Sequence, residues 1–169
     1  MKETSWKKLS LEAFAKYGSF ANMVKPSGPH LGQAPIEFYG DMVQSMLGAV
    51  PVASFGVCRV TRRPLVVDVS EFHDTSCEAA LPLDGDVLMH VAPAGPQLEF
   101  PAESAEVFLV PRGTLICIRP GVWHHAPFAF GSDLVNCLIV LPERTYKNDC
   151  TVYEIPEGRR LGISGEGIR

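Results

Sequence analysis

Short extended runs separated by turn-forming residues constrain this chain more than any other feature of its sequence. From residue 36 onward, stretches rich in β-branched, aromatic and apolar residues recur at 36–42, 52–60, 65–72, 77–82, 86–92, 105–110, 115–118, 125–130, 134–141 and 151–155, bounded by Gly, Pro or Asp. Strands this short and this frequent read as an antiparallel sandwich or barrel, because a parallel sheet needs a helical crossover between successive strands. A short helix is expected near residues 9–17, with Ser10 as N-cap and Gly18 as its end. The chain therefore reads as mainly all-β and one domain over 1–169. Its parts are an N-terminal helix and loop (1–35), a barrel (36–156) and a tail with little to bury (157–169).

Composition excludes several classes of function. The chain has 169 residues, of which 46% are hydrophobic, enough for a sizeable core. Its net charge is −4 and its Lys and Arg are scattered, so nucleic acid is not expected as a partner. No long apolar run or leader-like start is present, which predicts a cytoplasmic protein without a membrane association. The five cysteines form no CxxC pair. They read as reduced core residues, with Cys117 the one placed closest to the chemistry.

Two segments carry metal-type ligands. In EFHDTSCEAALPLDG (71–85), Glu71 and His73 stand two apart and leave one face of a strand, and Glu78 follows. In GTLICIRPGVWHH (113–125), His124 follows Gly121, a position for a tight turn. Two imidazoles and two carboxylates suit a divalent Zn, Mn, Ni or Fe ion better than a thiolate or an all-oxygen site would. Neighbours on a strand face opposite ways, so His124 is expected inward and His125 in a loop or supporting role, with catalysis also open to it. His30 reads as an ordinary polar residue. His90 shares a strand face with Leu88 and could point into a barrel toward the site. Trp123 reads equally as packing or pocket wall. Among the arginines, Arg59 and Arg119 are the candidates for a substrate carboxylate, while Arg62 and Arg63 read as surface charge.

The two segments resemble the paired motifs of the cupin superfamily. The first matches HxH, E and G at Glu71, His73, Glu78 and Gly85, with Glu in place of the first His. The second matches at Gly113, Gly121 and His124, with Arg119 where proline is usual and Pro120 one place later. The opening LSLEAFAKYGSF, the 71–95 segment, GVWHHAP and the tail KNDCTVYEIPE further resemble the ureidoglycolate lyase (ureidoglycolate hydrolase) family. That resemblance implies a cupin-type double-stranded β-helix, or jelly roll. It also implies release of urea from ureidoglycolate, leaving glyoxylate, in allantoin breakdown. Three departures stand out: Ile116 and Cys117 where an Asn-Tyr pair is expected, Glu78 for Gln, and Ala126 before Pro127.

On this reading Glu71, His73, Glu78 and His124 hold a divalent metal. Glu78, His125 and Arg119 do acid–base or positioning work, and Arg59, Arg119, Trp123 and His90 contact a small carboxylate substrate. Two alternatives share the pattern. One is another metal-dependent cupin enzyme, a sugar isomerase or dioxygenase. The other is a non-catalytic binding cupin. The apolar stretch 49–60 could pair as an exposed edge, giving a homodimer.

Overall fold

The computed structural model describes residues 2–96 and 98–165. Two curled sheets dominate it. One has five strands in the order Gly18–Asn22, Thr114–Ile118, Glu78–Pro82, Leu134–Pro142 and Ala53–Thr61. The other has six, in the order Phe128–Phe130, Asp86–Val91, Glu106–Val110, Lys2–Lys8, Leu161–Ser164 and Val66–Val67. Val69–Phe72 pairs with Thr151–Glu154, and Leu31–Gln33 with Ile36–Phe38. The crossings between non-consecutive strands give the jelly-roll barrel.

Alternation within the strands divides the interior into cores. Val87, Met89 and Val91 face the barrel lumen with Phe108, Ala80, Ile116, Val135 and Cys137. The opposite face of the same sheet carries Leu88 and Val107 into a second core with Trp123, Phe100, Phe72 and Leu161. The strand Asp86–Val91 is therefore buried on both faces, which explains the apolar run Val87, Leu88 and Met89 within it.

The helix is one turn long, Leu11–Phe14. The Ser10 side chain accepts from the Ala13 N–H at 3.2 Å, as expected of an N-cap. Gly18 does not end the helix, whose C-cap is Ala15; it opens the next strand. A Cβ there would lie 1.9 Å from the Cys117 carbonyl oxygen, so only glycine lets the two strands approach.

Three expectations need correction. The N-terminal region holds the strand Lys2–Lys8, which runs parallel to both Glu106–Val110 and Leu161–Ser164. Its polar sequence hides this because the side chains stay largely exposed while the backbone is paired on both edges. The tail also buries residues, since Leu161 and Ile163 alternate into the second core at 1% and 6% exposure; residues 166–169 lie outside the described ones. Finally, the run at 36–42 yields only the short exposed strand Ile36–Phe38.

Glu106 ties the N-terminal segment to the barrel, pairing with Lys7, with Lys16 at 2.7 Å and with the Tyr17 hydroxyl at 2.6 Å. Burial raises its carboxyl, but the hydrogen bonds from Lys16, Lys7 and Tyr17 outweigh this and hold it at about 2. A depressed carboxylate contributes stability that is present above its unfolded value of 4.5 and is lost as the pH falls toward 2. Urea denaturation of Glu106→Gln should show a loss on the order of 1–2 kcal/mol at pH 7 after solvent screening, shrinking toward pH 3. Equal midpoints at pH 7 would remove this anchor from the account.

Candidate metal centre

Backbone pairing brings the two motif segments together. Glu71 N–H donates to the His124 carbonyl at 2.6 Å, and His124 N–H donates to the Glu71 carbonyl at 2.8 Å. Gly121, with φ of 76°, makes the preceding turn, and its N–H donates to the His73 carbonyl at 2.7 Å. Glu78 stands opposite Ile118 in the sheet register and leaves Glu78–Pro82 on the same face as Ala80, into the lumen. As a result one ligand atom from each of Glu71, His73, Glu78 and His124 lies within 4.8 Å of the others, and all four residues are buried.

The imidazoles are fixed by their other nitrogens. His73 Nδ1 meets the Asp149 carbonyl at 2.6 Å and His124 Nδ1 meets the Val122 carbonyl at 2.8 Å. A carbonyl only accepts, so each Nδ1 carries a proton and each Nε2 is turned to the cluster, where it donates to Glu78 when protonated and can ligate a cation when it is not. Both Nε2 atoms approach Glu78 Oε2, at 3.2 Å from His73 and 3.4 Å from His124. Burial alone would push the Glu78 carboxyl up, but the charge and hydrogen bond of His124, joined by His73, hold it at about 2. Burial lowers His124 in turn, and Glu78 more than offsets it, so the imidazole is shifted upward. Carboxylates and imidazoles that hold each other this way in an apolar lumen form a donor set that fits a divalent cation.

Residues whose role the sequence did not signal complete the frame. The Asp149 carboxylate accepts from Asp74 N–H at 2.7 Å and from the Thr75 hydroxyl at 2.6 Å, clamping the loop between His73 and Glu78. The Cys150 thiol donates to Glu71 Oε2 at 3.4 Å; burial and Glu71 push it up to about 12, which keeps it a donor. Both lie in the KNDC segment, where only the family resemblance marked them. Arg63 is not loose surface charge. It donates to the Ala126 carbonyl at 2.7 Å and lies 3.8 Å over the Phe128 ring, which fixes the loop after His125.

A cavity of about 110 Å³ opens onto the cluster, with Glu71, Glu78, His125, Cys58, Ile139 and Tyr146 in its wall. His125 is half-buried there, so both adjacent histidines lie beside the cluster because the chain leaves strand geometry at this point. Burial lowers its imidazole; Glu71 opposes this, and Arg63 and His124 reinforce it.

The structure does not bring the other expected residues to this cavity. Arg59 is exposed on the face of Ala53–Thr61 opposite Cys58 and Val60. Arg119 lines a separate cavity with Cys77 and Cys117. Trp123 is 1% exposed in the second core, edge-on to Phe72 at 4.6 Å. His90 does share its face with Leu88, but that face looks away from the lumen. Its Nε2 lies 3.0 Å from the Ser70 hydroxyl, which donates to the His124 carbonyl at 3.1 Å. The Ser70 proton is thereby spent on His124, so His90 Nε2–H is the donor, and its Nδ1 has no hydrogen-bond partner among the described residues.

A jelly-roll barrel with two histidines and two carboxylates converging in its lumen defines a cupin. Within that class, the ureidoglycolate lyase family profile matches residues 1–161, and the chain belongs to that family. A ureidoglycolate lyase of Escherichia coli O1:K1 / APEC is 26% identical over 154 residues, covering 88% of this chain and 92% of that protein. The ureidoglycolate lyase of Escherichia coli O6:H1 (strain CFT073) aligns at the same identity and coverage. Among solved structures, a dTDP sugar isomerase from Desulfovibrio desulfuricans G20 superposes with a TM-score of 0.45 at 16% identity, covering 76% of this chain and 80% of that one. Bacillus subtilis oxalate decarboxylase gives a TM-score of 0.43 at 14% identity, covering 60% of this chain and 23% of that longer one.

Glu78 touches both histidines, so its loss should be felt at the whole centre. Glu78→Gln is expected to bind a divalent transition metal at least about 100-fold more weakly in a chelator-competition titration. His90→Gln, on the far face of the sheet, should change affinity much less. Equal loss in the two variants would mean that general destabilisation, not ligation, sets metal affinity.

Proposed function

We propose that this chain is a metal-assisted C–N lyase that releases urea from ureidoglycolate and leaves glyoxylate, as a cytoplasmic step of allantoin-derived nitrogen breakdown. The observation that carries the reading is the convergence of Glu71, His73, Glu78 and His124 beside a cavity sized for a small acid, in a chain of the ureidoglycolate lyase family. A divalent transition ion held by these four residues would act as a Lewis acid on the hydroxyl and carboxylate of the substrate.

The residues themselves supply the rest. Ureidoglycolate carries a hydroxyl and a ureido nitrogen on one carbon. Removing the hydroxyl proton lets the C–O bond become a carbonyl while the C–N bond breaks and its electron pair leaves with urea. Glu78 is engaged by both histidines and stays ionised, so the mobile proton falls to His125, which faces the same cavity without joining the cluster. Its imidazole takes the hydroxyl proton and returns it to the departing nitrogen, so the step is balanced in protons. Arg63 keeps the loop that follows His125 in place.

The test is urea release from ureidoglycolate by protein with metal restored. Chelation should abolish turnover and re-addition should recover it. His125→Ala should lower kcat by about 10²-fold or more with metal content unchanged. Stoichiometric metal without urea release would move this centre to another substrate.

The reading includes a homodimer. Ala53–Thr61 is the edge of the five-stranded sheet, and Val52 and Phe55 are 52% and 70% exposed there. The hairpin Leu31–Phe38 adds Leu31, Ile36 and Phe38 as exposed apolar side chains. Such an edge fits pairing with a second copy. Sedimentation should show a dimer for the native chain and a folded monomer for Val52→Glu/Phe55→Glu; a native monomer would refute the assignment.

A further inference from the structure

A second cavity adjoins the one at the metal centre. It measures about 450 Å³, and Cys58, Ile139 and Tyr146 line both, so these three residues form the wall the two cavities share. The Tyr146 ring lies 6.1 Å from the His73 ring, yet the residue is 64% exposed and so has room to move.

The outer cavity has a definite chemistry. Gly56 in Ala53–Thr61 leaves its inward face bare, since a Cβ there would meet nothing within 4 Å. Ile139 and Leu141 make its other wall apolar. Two cations, Arg144 and Lys147, also line it, and neither side chain forms an ion pair among the described residues. Arg144 holds a left-handed backbone with φ of 60°, a conformation that non-glycine residues adopt only where the surroundings impose it.

A small hydroxy acid needs only the inner cavity. We infer that this site also takes an elongated dianionic ligand, with one carboxylate head at His125 and at the divalent ion that Glu71, His73, Glu78 and His124 would hold, an apolar body along Gly56, Ile139 and Leu141, and a second carboxylate at Arg144 and Lys147. The ligand class is an acid extended by several methylene groups and ending in a further anion. The inference rests on the reading of the inner cavity as the reacting end and goes beyond it by naming a ligand class that the two cavities together fit. Aliphatic burial supplies affinity for the body, and the guanidinium and ammonium select the terminal charge.

Calorimetric titration of the metal-loaded protein with malonate, glutarate, pimelate and azelate tests it without requiring turnover. Affinity should rise by at least about tenfold from malonate to the best longer acid. Gly56→Leu, which fills the outer cavity, should abolish that gain. Arg144→Gln/Lys147→Gln, a surface change that leaves the barrel intact, should weaken the longer acids by about tenfold and malonate little. Equal affinity along the series, no binding at all, or a length dependence that survives both variants would overturn the inference. Urea release is measured separately: a length dependence without urea would leave the channel standing and remove ureidoglycolate, whereas urea with a flat series would do the reverse.

Discussion

The pair of backbone hydrogen bonds between Glu71 and His124 is the constraint on which this molecule's chemistry depends. It joins two segments far apart in the chain at one level of the barrel. Each segment then presents its ligand by strand alternation, a property of the backbone. With the bridge in place, Glu78 completes the group from a neighbouring strand, because its register with Ile118 sets its height. The short Asp149 contact fixes the His73 ring, and the Val122 carbonyl does the same for His124.

Four polar groups in an apolar lumen would be costly if they were unpaired. Here they answer one another: Glu78 is held ionised by two histidines, and each histidine is oriented by a carbonyl behind it. The same logic separates His90 from the site. That residue is as deeply buried as the ligands, but it bonds to Ser70 on the opposite sheet face and holds His124 only through its main chain. Burial of a histidine is thus no guide to its role; the face of the strand decides.

The departures from the family pattern acquire a physical meaning. Glu78 in place of Gln gives the group a second carboxylate against two imidazoles, which suits a divalent cation better than an amide would. Ile116 is wholly buried in the lumen core, where it packs among apolar neighbours, and Cys117 faces a different cavity altogether. Arg144 and Lys147 stand instead with Tyr146 in the lining of the outer cavity.

The sequence by itself determined the short-strand architecture, the capped turn at Ser10 and the converging group Glu71, His73, Glu78 and His124, because turn residues, strand alternation and ligand-type spacing are local properties of the chain. It left unread the strands at both termini. Lys2–Lys8 is polar and becomes a strand only through partners at Glu106–Val110 and Leu161–Ser164, which no local pattern reveals. Placement of the remaining candidates was likewise a tertiary matter. Arg59, Arg119, Trp123 and His90 have plausible chemistry, but which face of a sheet meets the lumen is set by how the two sheets close, and that closure turned all four away. The roles of Arg63, Tyr146, Asp149 and Cys150 also belong to the tertiary structure, since each acts on a residue remote in sequence, at a distance only the closed barrel creates.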